Sequence, residues 1–163
     1  MIKVIDNFLD EFEFQIIERD FLLNPNMFWK FEEFTEYPPK ENSLFQFVHI
    51  TYDFRDSSPQ GQYFESIFPI LKKLNAREII RSKVNLTTKS ENIIRGDFHV
   101  DVLFEHKVAI FYLNTNNGYT LFEDGTKIES VANRMVLFDG HLRHLGTNCT
   151  DKQRRVVLNI NYL

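Results

Sequence analysis

Short apolar runs separated by turn residues dominate the second half of the chain. From about residue 78 onward these runs are rich in Val, Ile, Phe, Tyr and Thr, which favour strands, and turn pairs such as Asp124-Gly125 and Asp139-Gly140 lie between them. The pattern predicts eight strands, at 79–87, 98–104, 107–114, 119–123, 126–129, 134–138, 144–147 and 154–162. Short strands joined by such turns are typical of an antiparallel sandwich or jelly roll.

The first half of the chain mixes helical and strand patterns. Apolar residues recur at helical spacing over residues 10–23, and Asp10 with Glu13 has the form of an N-terminal capping box, so we predict a helix there. A second helix is predicted at about 59–75, where Pro69 should kink it or shift its start. Strands are predicted at 2–5 and 44–54. The resulting fold class is α+β, mainly β, with the N-terminal helices packed on one sheet of a jelly roll.

Length and composition narrow the class of protein. A chain of 163 residues without an internal repeat or linker favours one domain over 1–163, with 1–77 as a helical and strand support region and 78–163 as the jelly-roll core. The net charge of -4 argues against broad nucleic-acid binding. We expect no membrane span and no signal peptide, because no apolar run is long enough and the first residues are charged. The single cysteine, Cys149, fits a reducing compartment.

His99 and Asp101 stand two residues apart inside one of the predicted strands. In a strand they would point to the same face, while the apolar residues around them point to the other. An imidazole and a carboxylate so placed are two of the three donors of the 2-His-1-carboxylate site that holds non-haem Fe(II). Because such a pair also occurs by chance in many proteins, the metal prediction depends on a third ligand.

Two histidines compete for the third position. His141 directly follows a turn, where side-chain direction is least constrained, whereas His144 begins the stretch that returns towards the last strand. We therefore favour His144 as the ligand and interpret His141 as a surface loop residue. His49 and His106 have no partner pattern and are predicted to be structural or solvent-facing.

The last predicted strand carries an unusual polar face. Its alternation separates two sets, Val156, Leu158, Ile160 and Tyr162 on one face and Arg155, Val157, Asn159 and Asn161 on the other. A buried guanidinium needs a partner anion, so a polar cavity with an anionic ligand would explain the second set. The alternative is an exposed face with a solvated Arg155. In a neighbouring predicted strand, Tyr112 could hydrogen-bond a carboxylate, or could be a core tyrosine whose hydroxyl is satisfied by the backbone.

Taken together, these stretches resemble a known family. The run from about residue 81 to the C-terminus resembles the Fe(II)/2-oxoglutarate-dependent dioxygenases, in particular the compact prolyl-4-hydroxylase-like members common in phage and bacterial genomes. The stretches that carry the resemblance are His99-Val100-Asp101, 109–114, 133–140 leading to His144, and 155–162. The resemblance implies a double-stranded β-helix, which is a jelly roll, and a cytoplasmic location, in the host cytoplasm if the chain is encoded by a phage.

The resemblance also implies a site. It assigns metal binding to His99, Asp101 and His144, cosubstrate binding to Arg155 and Tyr112, and pocket positions to Asn85 and Asn159. Arg155 would form a salt bridge to the distal carboxylate of 2-oxoglutarate, and Tyr112 would hydrogen-bond the same group. The implied cofactors are Fe(II), 2-oxoglutarate as cosubstrate, and O2.

The implied reaction is hydroxylation of a peptide or protein side chain, with proline as first choice and with release of succinate and CO2. Asp101 favours hydroxylation, because related halogenases lack this carboxylate. Free amino acids and nucleobases stay open as substrates, so we expect a peptide or small-molecule partner, and the acidic balance argues against nucleic acid. Two alternatives are a non-redox cupin-type metal protein or isomerase, which would not need Arg155 or Tyr112, and a β-sandwich interaction module without metal.

Overall fold

The computed structural model describes residues 1–35, 44–56 and 60–163. Its strands are β1 (Lys3–Ile5), β2 (Lys30–Glu32), β3 (Gln46–Asp53), β4 (Ile79–Thr88), β5 (Lys107–Tyr112), β6 (Tyr119–Phe122), β7 (Lys127–Glu129), β8 (Arg134–Asp139), β9 (His144–Gly146) and β10 (Arg154–Tyr162). Its helices are α1 (Glu11–Ile17), a π-helix (Glu18–Leu22), a 3₁₀-helix (Phe64–Ile67) and α2 (Phe68–Leu74). The described chain is mostly β with two short α-helices, as predicted. None of its described helices is both long and apolar enough to cross a membrane.

The strands form two antiparallel sheets. The larger sheet has seven strands in the order β1-β8-β5-β10-β4-β3-β2, and the smaller sheet has three in the order β7-β6-β9. The N-terminal region supplies β1, which pairs with β8, and β3, which pairs with β4. The support region and the C-terminal region of the chain therefore share one sheet.

β10 separates the hydrophobic core from a polar cavity. On one face, Val156, Leu158 and Ile160 pack in the core with apolar side chains from α1, the π-helix and α2. On the other face, Arg155 and Asn159 are buried and line a cavity between the two sheets. The predicted packing of the N-terminal helices on one sheet is confirmed, whereas the alternative of a solvent-exposed polar face is wrong.

The helix-end signals in the sequence match the observed ends. The backbone N–H of Glu13 donates to the Asp10 side chain at 2.8 Å, and the backbone N–H of Asp10 donates to the Glu13 side chain at 3.3 Å, so the predicted capping box forms. The helix predicted at 10–23 changes to π-helix winding from Glu18 onward. Pro69 lies in the first turn of α2, where its missing N–H costs nothing, so it marks the start of this helix instead of kinking it. Residue 59, the predicted start, lies outside the described residues.

The predicted strand at 98–104 is wrong. Of these residues only His99 pairs, through two backbone hydrogen bonds of 3.0 Å with His144, and the residues after it bend away and leave Leu103 96% exposed. The physical reason is that the residues after His99 have no strand to pair with. The strand that pairs with His99 is β9, which begins at His144, and the residues before it form a turn. An apolar run without a neighbouring strand to pair with forms an irregular connection instead.

Leu158 tests the core that the helices share with the larger sheet. The side chain is fully buried, so Leu158→Ala should lower the free energy of unfolding by about 2–5 kcal/mol, because the substitution loses burial and leaves a cavity. Urea denaturation measures this change. Leu103→Ala is the matched control, since Leu103 is 96% exposed and its removal should change stability by no more than about 0.5 kcal/mol. Equal losses for the two variants would contradict the packing described above.

Candidate active site

The backbone pairing of His99 and His144 brings their imidazoles together. The ring centroids lie 4.9 Å apart. Nδ1 of His99 lies 2.9 Å from the carbonyl oxygen of Asp97, and Nδ1 of His144 lies 3.1 Å from that of Leu142. Because a carbonyl oxygen only accepts hydrogen bonds, each Nδ1 is the donor, and Nε2 is the ring nitrogen left for a metal.

Asp101 completes the cluster. One potential ligand atom from each of His99, Asp101 and His144 lies within 4.8 Å of the other two. Oδ2 of Asp101 is 3.8 Å from Nε2 of His144, and it accepts hydrogen bonds from Nδ2 of Asn159 at 3.2 Å and Nδ2 of Asn161 at 3.1 Å. The three predicted ligands therefore converge. The backbone bridge between His99 and His144 and the bend at Asp101 bring them together, and strand alternation does not.

Burial and charge set the protonation states in this triad. Burial opposes ionisation of the Asp101 carboxyl, but nearby positive charge, from the His144 imidazole when it is protonated and from Lys83 and Arg81, outweighs it and holds the pKa of Asp101 well below its usual range. Burial lowers the pKa of His144, against the opposing influence of Asp101. At neutral pH the triad thus offers an ionised carboxylate and a neutral imidazole, which are the forms that bind metals.

These donors fit a divalent transition metal. Two imidazole nitrogens and one carboxylate oxygen make up a 2-His-1-carboxylate set, which can hold Fe(II) and leave coordination positions open. The carbonyl partners of His99 and His144 and the amide partners of Asp101 fix the direction of each ligand, as hydrogen bonds to metal ligands commonly do.

A cavity of about 70 Å³ extends from the triad between the two sheets. Asn159 lines the cavity near the triad, and Arg155 lines it four residues earlier on the same face of β10, about 13 Å along the strand. The cavity therefore connects a candidate metal site with a guanidinium.

Arg155 is a buried cation without a carboxylate partner among the described residues. It is 5% exposed, its Nε donates to Oγ of Ser130 at 2.8 Å, and its Nη2 donates to Oγ1 of Thr120 at 3.3 Å. The guanidinium also lies within hydrogen-bond reach of the Tyr112 hydroxyl oxygen. Burial lowers the pKa of the guanidinium, which reflects the cost of holding this charge away from water. An anionic ligand in the cavity would supply the missing partner.

Gly118 leaves the space that the Arg155 side chain occupies. A Cβ at this position would lie 2.6 Å from Cδ of Arg155 and still closer to the backbone carbonyl oxygen of Asn148. A larger residue would have to displace the arginine or the backbone. The Asn116-Asn117-Gly118 sequence indicates a turn, but the contact with a distant arginine has no local signal.

Tyr112 lies behind Arg155 and is not on the cavity wall. It is fully buried, its ring centre lies 5.5 Å from the guanidinium carbon, and its hydroxyl donates to Oγ1 of Thr120 at 2.8 Å. In this structure the Tyr112 hydroxyl is paired with Thr120, so its hydrogen bond to a cosubstrate carboxylate stays a prediction. Tyr112 also supports the guanidinium through a cation–π contact and orients the Thr120 hydroxyl.

Asn85 and Asn159 both line the cavity. Asn159 uses its amide N–H to orient Asp101. The Oδ1 atom of Asn85 is buried and has no hydrogen-bond partner among the described residues. Because buried acceptors are normally paired, this atom is a candidate for contact with a ligand.

Two cations near the triad escape prediction from the sequence. Nη2 of Arg81 lies 3.4 Å from Oδ1 of Asp101, and Lys83 lines the cavity two positions further along β4. The sequence does contain one indication of them, because every second residue from 81 to 87 is polar, and residues so spaced lie on one face of a strand. Thr120 and Ser130, which hold Arg155, carry no such signal, because small polar residues are common in strands and turns.

The remaining histidines lie outside the triad. His144 is 3% exposed and lines the cavity, whereas His141 is exposed in the turn before β9. His49 and His106 are buried, and each has a ring nitrogen against a backbone carbonyl oxygen, at 2.9 Å and 2.7 Å. The predicted surface position of His141 and the structural role of His49 and His106 agree with these contacts.

Comparison with known proteins gives similar structures but no sequence match. No protein-family model and no curated protein sequence matches the chain. The chain is similar to an oxidoreductase of the 2OG-Fe(II) oxygenase family from Burkholderia pseudomallei, with a TM-score of 0.72 and 14% identity, covering 99% of this chain and 84% of that one.

Two further similar structures are prolyl hydroxylases. The first, from Trichoplax adhaerens, is in complex with a peptide fragment of the hypoxia inducible factor oxygen degradation domain, with a TM-score of 0.70, 12% identity and coverage of 99% and 83%. The second, from Pseudomonas putida, is a prolyl-4-hydroxylase with a TM-score of 0.64, 14% identity and coverage of 99% and 91%.

The chain has the fold of the 2OG-Fe(II) oxygenases. The likeness covers 99% of the chain, which includes the N-terminal half. The resemblance inferred from the sequence is thus confirmed at the level of the fold.

His144 and His141 form a matched pair for testing the metal site of this 2OG-Fe(II) oxygenase fold. His144→Ala should weaken binding of Mn(II) at least about tenfold, because it removes one of the three predicted ligands. Even the loss of a residue that only orients a metal ligand lowers metal affinity about tenfold. His141→Ala should leave the affinity unchanged, since His141 is exposed outside the triad. Isothermal titration calorimetry measures both, and a loss confined to His141→Ala would exchange the two assignments.

Proposed function

We propose that the chain is an Fe(II)- and 2-oxoglutarate-dependent dioxygenase that hydroxylates its substrate and releases succinate and CO2. One observation carries the proposal, namely that His99, Asp101 and His144 line the same cavity as Arg155, a buried cation without a carboxylate partner among the described residues. A cupin-type metal protein would use the triad but would not need the buried arginine. We further propose that residues 1–163 act as one domain, a double-stranded β-helix, in the cytoplasm.

The triad would hold the metal. His99, Asp101 and His144 would bind Fe(II) on one side and leave positions free for 2-oxoglutarate and O2. The bound metal, cosubstrate and O2 supply the oxidising chemistry, while the protein provides position and shielding. Asn159 and Asn161 keep the Asp101 carboxylate in one orientation through their amide N–H groups.

Arg155 would select the cosubstrate. Its planar, permanently charged guanidinium matches a carboxylate, and its hydrogen-bond partners among the described residues are hydroxyl groups and no carboxylate. Ile110 and Val157 line the cavity with apolar surface, which suits the methylene groups of a five-carbon diacid. An oxo acid without a distal carboxylate would leave the guanidinium buried and unpaired, at a cost of at least about 1–3 kcal/mol.

For the primary substrate we propose a peptide or protein side chain, with proline first. This choice is supported by the similarity to two prolyl hydroxylase structures, one of them in complex with a peptide. A free amino acid is the second candidate, favoured by Lys83, which lines the cavity and has no ion-pair partner among the described residues. The net charge of -4 argues against a nucleobase in nucleic acid.

Succinate formation tests the proposed activity. The purified chain is reconstituted with Fe(II) and 2-oxoglutarate without oxygen, oxygen is then admitted, and succinate is followed with and without proline-containing peptides and free amino acids. We expect slow succinate release without substrate and faster release with the correct one. No succinate from a chain that binds both metal and 2-oxoglutarate would contradict the proposal.

Arg155 and Arg154 separate cosubstrate binding from general stability. Arg155→Ala should raise the dissociation constant for 2-oxoglutarate about 10–100-fold, because a charged hydrogen bond contributes about 1.5–3 kcal/mol, while Mn(II) binding stays unchanged. Arg154→Ala is the control, because Arg154 lies on the opposite face of β10 and donates to the carbonyl oxygen of Leu22 at 2.6 Å. Calorimetric titration of the Mn(II)-loaded variants gives both constants. Unchanged affinity in Arg155→Ala would show that this residue is misassigned.

A further inference from the structure

A polar stripe on β4 faces the cavity. Side chains alternate along a strand, so Lys83, Asn85 and Thr87 share one face, and all three line the cavity. Lys83 lies opposite Asn159 on β10, whereas Thr87 lies opposite Arg155. Lys83 is therefore at the triad end of the cavity, about 13 Å along β4 from the position that faces the arginine.

The ammonium group of Lys83 lacks a partner in the part of the chain that the structure describes. It makes no hydrogen bond and no ion pair there, although the residue is half-buried and lines the cavity. Burial and the charge of Arg81 lower the pKa of Lys83, and Asp101 and Glu32 act in the opposite direction. A cation placed in a cavity without an anion is costly, so such a position is typical of a ligand site.

Among the described residues, the carboxylates near Lys83 are already engaged. Asp101 pairs with Arg81 at 3.4 Å, in addition to its two amide donors. Glu32 lies 3.7 Å from the ammonium group of Lys30. Lys83 is thus left, like the guanidinium at the other end of the cavity, without a carboxylate partner among the described residues.

Asn85 provides a second unpaired group beside Lys83. Its buried Oδ1 has no hydrogen-bond partner in the described part of the chain, and Asn85 lies two positions from Lys83 on the same face of β4. A ligand that satisfies both residues carries an anionic group and, close to it, an N–H or O–H donor. An amino acid with a free carboxylate has this combination.

We propose that Lys83 binds a carboxylate of the primary substrate and that Asn85 accepts a hydrogen bond from the same molecule. The inference rests on the proposed function, in which Arg155 takes the distal carboxylate of 2-oxoglutarate and leaves Lys83 for a second anion. The substrate is then an amino-acid residue with a free carboxylate, supplied either as a free amino acid or as the C-terminal residue of a peptide.

The test uses the full chain loaded with Zn(II) and 2-oxoglutarate, a complex that does not turn over because Zn(II) has no redox chemistry. The probes are the standard free L-amino acids and Gly-Gly-X tripeptides that end in the same residues, each as the free acid and as the C-terminal amide. Ligand-observed NMR measures their binding. Binding by free amino acids alone identifies that source of the carboxylate, and binding by tripeptide acids identifies a peptide C-terminus.

We expect at least one acid to bind the wild-type complex about tenfold or more tightly than its amide, because the charged contact is lost on amidation. Lys83→Met should weaken binding of that acid by a similar factor, and Lys83→Arg should restore most of it. Lys89→Met, at an exposed lysine just beyond β4, should change nothing. The affinity for 2-oxoglutarate should stay within about threefold in every variant.

Three results would overturn the inference. In the first, the wild-type complex binds 2-oxoglutarate but binds no acid probe more tightly than its amide. In the second, the Lys83→Met variant binds the acid as tightly as the wild type does. In the third, the Lys83→Met variant loses affinity for 2-oxoglutarate about tenfold. The last result would place Lys83 at the cosubstrate. A wild-type chain that binds Zn(II) but not 2-oxoglutarate would contradict the proposed function, and this inference with it.

Discussion

The alternation of side chains along β10 is the constraint on which the rest of the structure depends. One face of this strand packs Leu158 and Ile160 in the core, while the other holds Arg155 and Asn159 away from bulk water. Buried polar groups are stable only when they find partners, so this face requires neighbours that carry hydroxyl, amide and carboxylate groups. The smaller sheet, β4 and the connection around Asp101 supply them, and the cavity is the space that these partners enclose.

The two ends of the cavity meet the requirement in different ways. At the triad, the carbonyl partners of the imidazoles and the amide partners of Asp101 orient all three side chains of the candidate metal site. At the other end, Arg155 has hydroxyl partners and an aromatic ring, but no carboxylate among the described residues. Holding an unpaired charge there lowers stability, and an anionic ligand that pairs with it stabilises the folded chain through linkage.

The sequence predicts those parts of the fold that depend on residues close together in the chain. Alternation identifies β10 and separates its two faces, and the capping box locates the start of α1, because both depend on residues a few positions apart. The same reasoning fails at 98–104, where an apolar run has strand composition but no strand beside it. Whether a run becomes a strand depends on a distant partner, which composition does not report.

The candidate site likewise contains residues that could be predicted from the sequence and residues that could not. His99, Asp101, His144 and Arg155 could be predicted, because they lie in stretches that resemble a known family. The position of Tyr112 behind the guanidinium could not, nor could the convergence of Lys83 on the triad. Both depend on the register of β10 with β5 and with β4, strands that are far apart in sequence.

Linkage between metal and 2-oxoglutarate tests most directly whether the triad and the arginine form one site. Calorimetric titrations without oxygen give the affinity for Mn(II) with and without 2-oxoglutarate, and the affinity for 2-oxoglutarate with and without Mn(II). We expect each ligand to tighten binding of the other by the same factor, because one diacid would contact both the metal and the guanidinium. Binding of 2-oxoglutarate with the same affinity in the presence and absence of the metal would contradict a shared site.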